Sequence, residues 1–423
     1  MKGKQNNIDR RYFLKTIGVA GLGSVLAASC KGKEKEQPDT VETDAPKGAQ
    51  EEKYPQVPKR KLGKTGVEVS CLGLGTMFNL VDSQIILRNT VRWGVTYWDT
   101  AYGYAGGNSE LGIGKFLSAN PEVRKNLFIV SKASGARTVA DVEARLQTSL
   151  QRMNINYIDL YYAPHGASDP AQFTDELKQW VESAKKRKLI RFFGFSTHSN
   201  MAKCLVAAAK LDWFDVIMPR FNFRIMQDPE MQAAIDACHK AKIGIVAMKT
   251  TGQTTIRRFR KKIETEAEKK MVAHFLQRGF TPEQAALKLV LADKRISAAP
   301  VQMENTAIVT QNVAAVLDKT ELTQADREVF KEYAQATCSG YCAGCAEICD
   351  AALPDLPYVS DIMRYLMYYN SYGDTDRARE LFAQIPAKAR NKLLSTDYSV
   401  AEARCPQHMP IGKLIAEAVS RLA

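Results

Sequence analysis

Four side chains that can carry or share a proton stand near the ends of short apolar segments. Asp99 and Lys132 come at the ends of two segments, Tyr104 follows Asp99 by five positions, and His165 follows a third segment. Reduction of a carbonyl needs a proton for its oxygen. A tyrosine hydroxyl can donate one, although its ordinary pKa of about 10 poorly matches neutral pH. A lysine would lower that pKa, an aspartate would hold the lysine, and a histidine would orient the oxygen.

The elements that must position these side chains are eight strand–helix units. The predicted strands are 69–76, 96–101, 127–133, 158–163, 190–196, 216–221, 244–249 and 296–301. The predicted helices include 83–93, 109–117, 139–153, 174–187, 201–211, 229–240, 282–292 and 306–316. The strands are apolar throughout, as strands covered on both faces must be, and eight such units over about 250 residues are typical of a (β/α)8 TIM barrel. Barrel enzymes keep their sites at the C-terminal strand ends, so the four side chains should converge there.

An open, doubly wound α/β sheet is the alternative fold. Such a sheet normally has a Gly-x-Gly-x-x-Gly turn after its first strand. The candidate turn, residues 73–77, reads GLGTM and lacks the third glycine, which favours the barrel. The connection at 252–279 is unusually long, and its charged stretch predicts a helix over 256–278. It would be either a loop over the site or a surface decoration.

The residues around the second strand resemble the aldo-keto reductase family. The sequence DTA at 99–101 with Tyr104, followed by NSE at 108–110, is similar to that family's signature. The resemblance extends over roughly residues 60–318. It implies a nicotinamide cofactor and a catalytic tetrad at the strand ends. The implied tetrad is Asp99, Tyr104, Lys132 and His165.

One member of this tetrad departs from the spacing of the family. His165 follows Asp159 by six positions, one more than the family's pattern. Pro164 predicts a bulge that would accommodate the additional residue.

The resemblance also implies positions that bind the NAD or NADP cofactor. The implied cofactor-binding residues are Gly75, Thr76, Ser196, Lys249, Gln311 and Asn312. Thr197 stands where the family has an asparagine, and Met218 where many members have a glutamine. For Lys249 and Gln311, barrel packing or helix capping is the alternative interpretation. Residues 300–304 lack the basic side chains that would hold a 2′-phosphate, which favours NAD.

Five of the nine cysteines lie in the last part of the chain. They resemble the iron–sulfur extension that one branch of aldo-keto reductases carries, and this resemblance implies one [4Fe–4S] cluster. The implied ligands are Cys338, Cys342, Cys345 and Cys405, with Cys349 as the alternative ligand. A zinc ion bound by thiolates is one competing interpretation, and disulfides or free thiols are another.

Residues 1–30 resemble an export signal. An arginine pair at 10–11 and an apolar stretch at 17–29 are typical of a twin-arginine signal, and the stretch is short for a transmembrane helix. Cys30 ends the sequence LAASC, which resembles a lipoprotein cleavage site. We therefore expect the twin-arginine export machinery as a partner, a lipid anchor at Cys30, and a location in the bacterial periplasm. A chance arginine pair before an apolar anchor is the alternative.

The predicted organisation has four parts. They are a signal at 1–30, a disordered linker at 31–58, a barrel at 59–320 and a helical, cysteine-containing extension at 321–423. The formal net charge is +13, but the basic residues are dispersed except for a run at 257–262. No nucleic-acid recognition motif accompanies them, so we expect no nucleic-acid partner.

These features lead to three functional hypotheses. The first is an enzyme that transfers hydride between a nicotinamide and a small carbonyl or alcohol substrate, with Tyr104 as general acid and base. Because a cell envelope is not expected to supply free nucleotide, the cofactor would travel bound to the protein. The second is an envelope electron-transfer protein with a redox partner and the cluster as its working part. The third is a non-catalytic binding protein on a reductase fold.

Overall fold

The computed structural model describes residues 54–253 and 265–423, with the backbone of two short strands, Arg257–Arg258 and Lys261–Lys262, between them. The predicted signal with Cys30 and most of the predicted linker lie outside the described residues, as do the side chains of the basic run. Residues 56–423 form one compact unit. Within the described part of the chain, no helix is long and apolar enough to cross a membrane.

Eight parallel strands close into a barrel, which confirms the predicted fold and excludes the open sheet. The strands are β1 Leu72–Gly75, β2 Tyr97–Asp99, β3 Phe128–Lys132, β4 Ile158–Ala167, β5 Ile190–Thr197, β6 Val216–Pro219, β7 Gly244–Val246 and β8 Ile296–Gln302. The barrel closes where β8 pairs with β1, with Ala299 opposite Leu72. Every residue of β2, β3 and β6 is buried, because helices cover the outer face and side chains fill the interior. An antiparallel pair, Lys59–Lys61 and Glu68–Ser70, precedes β1.

Helices surround the barrel, and most of them begin and end close to the residues predicted from the sequence. They are α1 Gln84–Arg92, α2 Asn108–Ala119, α3 Val139–Met153, α4 Asp175–Lys186, α5 Met201–Ala208, α6 Pro229–Lys240, α7 Glu266–Gln277, α8 Pro282–Ala292 and α9 Thr306–Leu317. Local sequence sets several of their starts. Before α3, the Thr138 side chain accepts a hydrogen bond from the backbone N–H of Asp141, and the Asp141 side chain accepts one from the backbone N–H of Thr138. These bonds satisfy N–H groups that a helix start leaves free.

The chain continues beyond the barrel as a helical extension, as predicted. Its elements are α10 Gln324–Ala336, α11 Ala346–Ala352, α12 Val359–Met367, a π-helical turn at Tyr368–Tyr372, α13 Thr375–Ala383, α14 Ala387–Arg390, α15 Ser399–Arg404 and α16 Ile411–Leu422. From α11 onward these helices share an apolar core in which Ile362, Phe382 and Ile415 are almost fully buried.

The long connection after β7 differs from the prediction of one helix over 256–278. Its first part contains the two short antiparallel strands, and α7 begins only at Glu266. Thr265 sets this start, because its side chain accepts a hydrogen bond from the backbone N–H of Glu268. The helix buries Phe275 against Phe330 of α10, with ring centroids 4.5 Å apart. The helical part of the connection therefore serves packing between the barrel and α10.

Candidate active site

The four predicted tetrad residues meet at one cavity at the C-terminal end of the barrel. Asp99 and Lys132 end β2 and β3, His165 lies in β4, and Tyr104 lies in a short 3-10 turn after β2. All four line a cavity of about 460 Å³. This volume is within the range of small-molecule sites.

Lys132 is the centre of the polar contacts in this group. Its Nζ donates to Asp99 Oδ1 at 2.6 Å and to the carbonyl of Thr100 at 2.7 Å. The same Nζ lies 4.8 Å from the ring centroid of Tyr104. Burial raises the pKa of Asp99 and lowers that of Lys132, whereas their mutual attraction opposes both shifts. Asp99 thus holds the buried ammonium of Lys132 beside the ring of Tyr104, as the sequence analysis expected of an aspartate.

Tyr104 corrects one expectation drawn from the sequence. A neighbouring lysine should lower the pKa of a tyrosine, but the pKa of Tyr104 lies well above its ordinary value. Burial is the largest cause, and the charge of Asp99 adds to it. Lys132 contacts the ring face and does not reverse this shift. Tyr104 is therefore a neutral phenol at physiological pH, which is the form that donates a proton.

His165 faces Tyr104 across the cavity, with ring centroids 6.3 Å apart. Its Nδ1 lies 2.9 Å from the hydroxyl of Ser134. Burial, and after it the charges of Lys132 and Arg377, hold the pKa of His165 well below its ordinary value, so the ring is neutral. When Ser134 donates to Nδ1, the proton is on Nε2 and can be donated to a ligand. No spacing in the sequence pointed to Ser134.

The predicted bulge before His165 is confirmed. The pairing of β4 with β5 shifts register between Tyr162 and His165, and His165 then lies opposite Ser196. The shift takes up the additional residue and turns the imidazole into the cavity.

The signature residues that follow Tyr104 hold the strand ends of the site together through buried hydrogen bonds. The hydroxyl of Ser109 lies 2.7 Å from those of both Thr76 and Thr100. Glu110 is fully buried and accepts bonds from Ser131 and Arg152. These bonds tie α2 to the ends of the first three strands, so the signature fixes the frame that holds Asp99 and Lys132.

The predicted cofactor positions divide into two groups. Those that line the cavity are Gly75, Thr76, Ser196 and Lys249. The hydroxyl of Ser196 accepts a bond from the backbone N–H of Gly166 at 3.2 Å. Gln311 and Asn312 lie on α9 and are not among the lining residues, and Gln311 is exposed.

The extension supplies a large part of the cavity wall, which the sequence did not indicate. The lining residues from the extension include Arg364, Tyr365, Tyr368, Tyr372 and Arg377. The Nζ of Lys249 lies 4.1 Å from the ring centroid of Tyr372 and 5.1 Å from that of Tyr368. Burial and the neighbouring charge of Arg220 lower the pKa of Lys249 to about 7. The one sequence feature that could have pointed to this wall is the cluster of tyrosines and an arginine over residues 364–372.

The cysteines of the extension are placed differently from the predicted ligand set. Those that line a second, small cavity of about 20 Å³ are Cys342, Cys345, Cys349 and Cys405. Cys338, which was expected among the ligands, lies outside this lining. No disulfide joins the described cysteines, and burial raises the pKa of Cys345 to about 11. No three His, Cys, Asp or Glu side chains of the described residues converge as one metal ion requires.

A family model described as the aldo/keto reductase family matches residues 71–332. The chain belongs to this family, and the resemblance seen in its sequence is confirmed. Membership of this family makes it an oxidoreductase by class. Residues 333–423, which are most of the extension, lie beyond the match.

Individual relatives are distant. L-galactose dehydrogenase from Arabidopsis thaliana is 25% identical over 298 residues, which cover 64% of this chain and 92% of that protein. Aldo-keto reductase yakc [NADP(+)] from Schizosaccharomyces pombe is 28% identical over 217 residues, or 47% of this chain and 62% of that protein. The holo form of an aldo-keto reductase from Bacillus halodurans has a TM-score of 0.53 at 22% identity, covering 66% of this chain and 96% of its own. That structure supports the barrel fold.

Proposed function

We propose that this protein interconverts a carbonyl and an alcohol with a nicotinamide cofactor, and that Tyr104 is its general acid and base. The observation that carries the proposal is the convergence of the four tetrad side chains on one cavity. Neither an electron-transfer scaffold nor a plain binding protein requires a buried lysine paired with an aspartate under a tyrosine.

The donors on the cavity wall fit such a cofactor. Ser196, Thr250 and Thr251 present hydroxyl groups, and Lys249 presents an ammonium group. Hydroxyls suit the amide of a nicotinamide, and the ammonium suits phosphate. When bound, the cofactor supplies a hydride to the carbonyl carbon.

The chain's own residues handle the oxygen. His165, neutral and held by Ser134, donates through Nε2 to the carbonyl oxygen and orients it. Tyr104 delivers the proton to that oxygen as negative charge develops there. Lys132, held by Asp99, then stabilises the tyrosinate that remains. Tyr368 and Tyr372 cover Lys249 and reduce the access of water.

We propose NAD in preference to NADP, and we propose that the nucleotide stays bound after purification. Gln302 at the end of β8 and Glu304 just beyond it line the cavity, where a 2′-phosphate would need a cation. Mass spectrometry of the nucleotide released by denaturation identifies the cofactor. An absence of nucleotide, together with no binding when NAD or NADP is added, would refute both parts.

The test of the proposed reaction is Tyr104→Phe. We expect turnover of carbonyl substrates to fall by at least about 100-fold, since the proton donor is lost, while nucleotide stays bound. Tyr157→Phe is the matched control, because Tyr157 stacks on Arg124 outside the cavity. Full activity of Tyr104→Phe would refute the assigned role.

We further propose that the extension carries one [4Fe–4S] cluster, with Cys349 replacing Cys338 in the ligand set. Four thiols on one small, mainly apolar cavity support this, since each cysteine of such a cluster binds a different iron atom and the four sulfurs need not meet at one point. A zinc ion would require that meeting point. When bound, the cluster supplies one-electron redox chemistry or holds the extension together, while the carbonyl chemistry stays with Tyr104.

We also propose export through the twin-arginine machinery, with lipidation at Cys30. The support is the sequence of residues 1–30 alone. Labelling of cells with a radioactive fatty acid should mark the wild-type protein but not Cys30→Ala. Equal labelling of the two proteins would contradict the anchor.

A further inference from the structure

The extension places two cations in the active-site cavity that lie outside the family match. Arg364 is on α12 and Arg377 is on α13, and both line the cavity. Tyr368 and Tyr372 of the extension contact Lys249, one of the cofactor positions, whereas the two arginines lie near His165 and Tyr104.

Arg364 lies beside His165. A Cβ atom built on Gly166 would stand 3.2 Å from Nη1 of Arg364. Its Nη2 donates to Asp361 at 2.8 Å, but its Nε is buried and has no partner among the described residues. A buried N–H without a partner costs free energy, so a ligand that accepts from this guanidinium would be favoured.

Arg377 lies on the other side, beside Tyr104. A Cβ atom built on Gly103 would stand 3.4 Å from the central carbon of the guanidinium. Arg377 pairs with Glu380, whose side chain is 57% exposed. An ion pair that exposed is weak and uses few of the five donors of the guanidinium.

A third buried polar group beside Arg364 also has polar atoms without a hydrogen-bond partner in the described structure. His198 lines the cavity next to Arg364 and is only 6% exposed, yet neither of its ring nitrogens has a hydrogen-bond partner in the described structure. Of the acidic residues on the wall, Asp99 is paired with Lys132, and Glu304 lies beyond β8. Asp361 and Glu380 pair with the two arginines. The charges that act on His165 are nevertheless positive, because those of Lys132, Arg377, Arg364 and Lys249 all lower its pKa.

We infer that the substrate carries a carboxylate, which Arg364 and Arg377 hold while Tyr104 and His165 act on its carbonyl or hydroxyl oxygen. This inference rests on the proposed reductase function and names its substrate class. A planar guanidinium matches a carboxylate with two parallel hydrogen bonds. The phosphates of the cofactor carry the same kind of charge, so the experiment must separate the two.

The experiment uses the full chain loaded with its nucleotide and two probes, p-carboxybenzaldehyde and its uncharged methyl ester. Binding is measured by calorimetry and kcat/KM by cofactor absorbance, for wild type, Arg364→Gln and Arg377→Gln. Arg379→Gln is the control, since Arg379 lies on α13 with Arg377 but is exposed, and its side chain donates to the backbone carbonyl of Arg421. We expect wild type to prefer the acid, and each cavity variant to lose roughly 10- to 100-fold in affinity and kcat/KM for the acid only.

The outcomes are distinct. Equal binding of acid and ester by wild type would overturn the inference. Loss of nucleotide affinity in the two variants, with the preference for the acid unchanged, would assign the arginines to cofactor phosphate and overturn it as well. A preference for the acid without turnover of either probe would support the anion site and count against the proposed reductase function.

Discussion

The ammonium of Lys249, just after β7, lies 4.1 Å from the ring centroid of Tyr372 in the extension. This cation–π contact joins the barrel end to the segment that covers the cavity. The lysine has few charged partners to offset its burial, and the positive charges of Arg220 and Arg364 oppose its protonation.

The pKa of Lys249 gives a prediction about stability and pH. The folded protein releases this proton near pH 7, whereas the unfolded chain keeps it until about pH 10.4. The unfolded state binds more protons between these values, so this group makes wild type more stable as the pH rises. Lys249→Met lacks the effect. For the proteins freed of nucleotide, we expect the free energy of unfolding of wild type to rise relative to that of the variant from pH 6 to pH 9, in urea titrations. An unchanged difference would contradict the lowered pKa.

The buried pair of Lys132 and Asp99 predicts a large loss of stability. Asp99→Asn leaves the lysine without its counter-charge, and we expect unfolding to cost about 3 kcal/mol less. Activity should fall as well, because the lysine is no longer held near Tyr104. Asp212→Asn is the control, since Asp212 pairs with Lys178 on the surface at 3.5 Å and should cost less than about 1 kcal/mol. Similar losses in the free energy of unfolding of both variants would contradict the larger contribution of the buried pair.

Ser134 should act by positioning His165. Ser134→Ala removes the bond to Nδ1, and we expect kcat to fall about 5-fold while nucleotide affinity is unchanged. Ser134→Thr keeps the hydroxyl and should restore kcat. Failure of the threonine variant to recover activity, or a loss confined to KM, would show that the bond does not orient the imidazole.

The cysteine cavity predicts which substitution removes a cluster. Cys349→Ser alters a thiol that lines the cavity, whereas Cys338→Ser alters one outside it. After anaerobic purification we expect iron and visible absorbance to be lost from the first variant and kept by the second. Carbonyl reduction by both would separate the cluster from the chemistry at Tyr104. Loss of iron from both variants would count against the revised ligand set, and so would a wild-type protein that contains no iron.

Much of the barrel and the placement of the tetrad follow from local sequence. The strands are continuous apolar runs, and the capping residues of the helices lie beside them in the chain, so both can be recognised without tertiary contacts. Asp99 and Lys132 end their strands and His165 lies near the end of the next one. The C-terminal ends of these successive parallel strands necessarily meet at one end of the barrel. The helix predicted over 256–278 begins too early, because Ile256, Phe259 and Ile263 recur at helical spacing although two short strands form there.

The remaining features depend on distances between parts of the chain that sequence spacing does not encode. Burial of Tyr104 raised its pKa despite the lysine beside it, because desolvation depends on the whole surrounding wall. Cys349 joined Cys405 at one cavity only through the packing of α11 against α15. The sequence by itself therefore determined the family, the barrel and the positions of the four side chains for which we propose a catalytic role. The tertiary structure alone decided that the extension closes the cavity with Arg364, Arg377 and two tyrosines, since its helices pack on the barrel through long-range contacts.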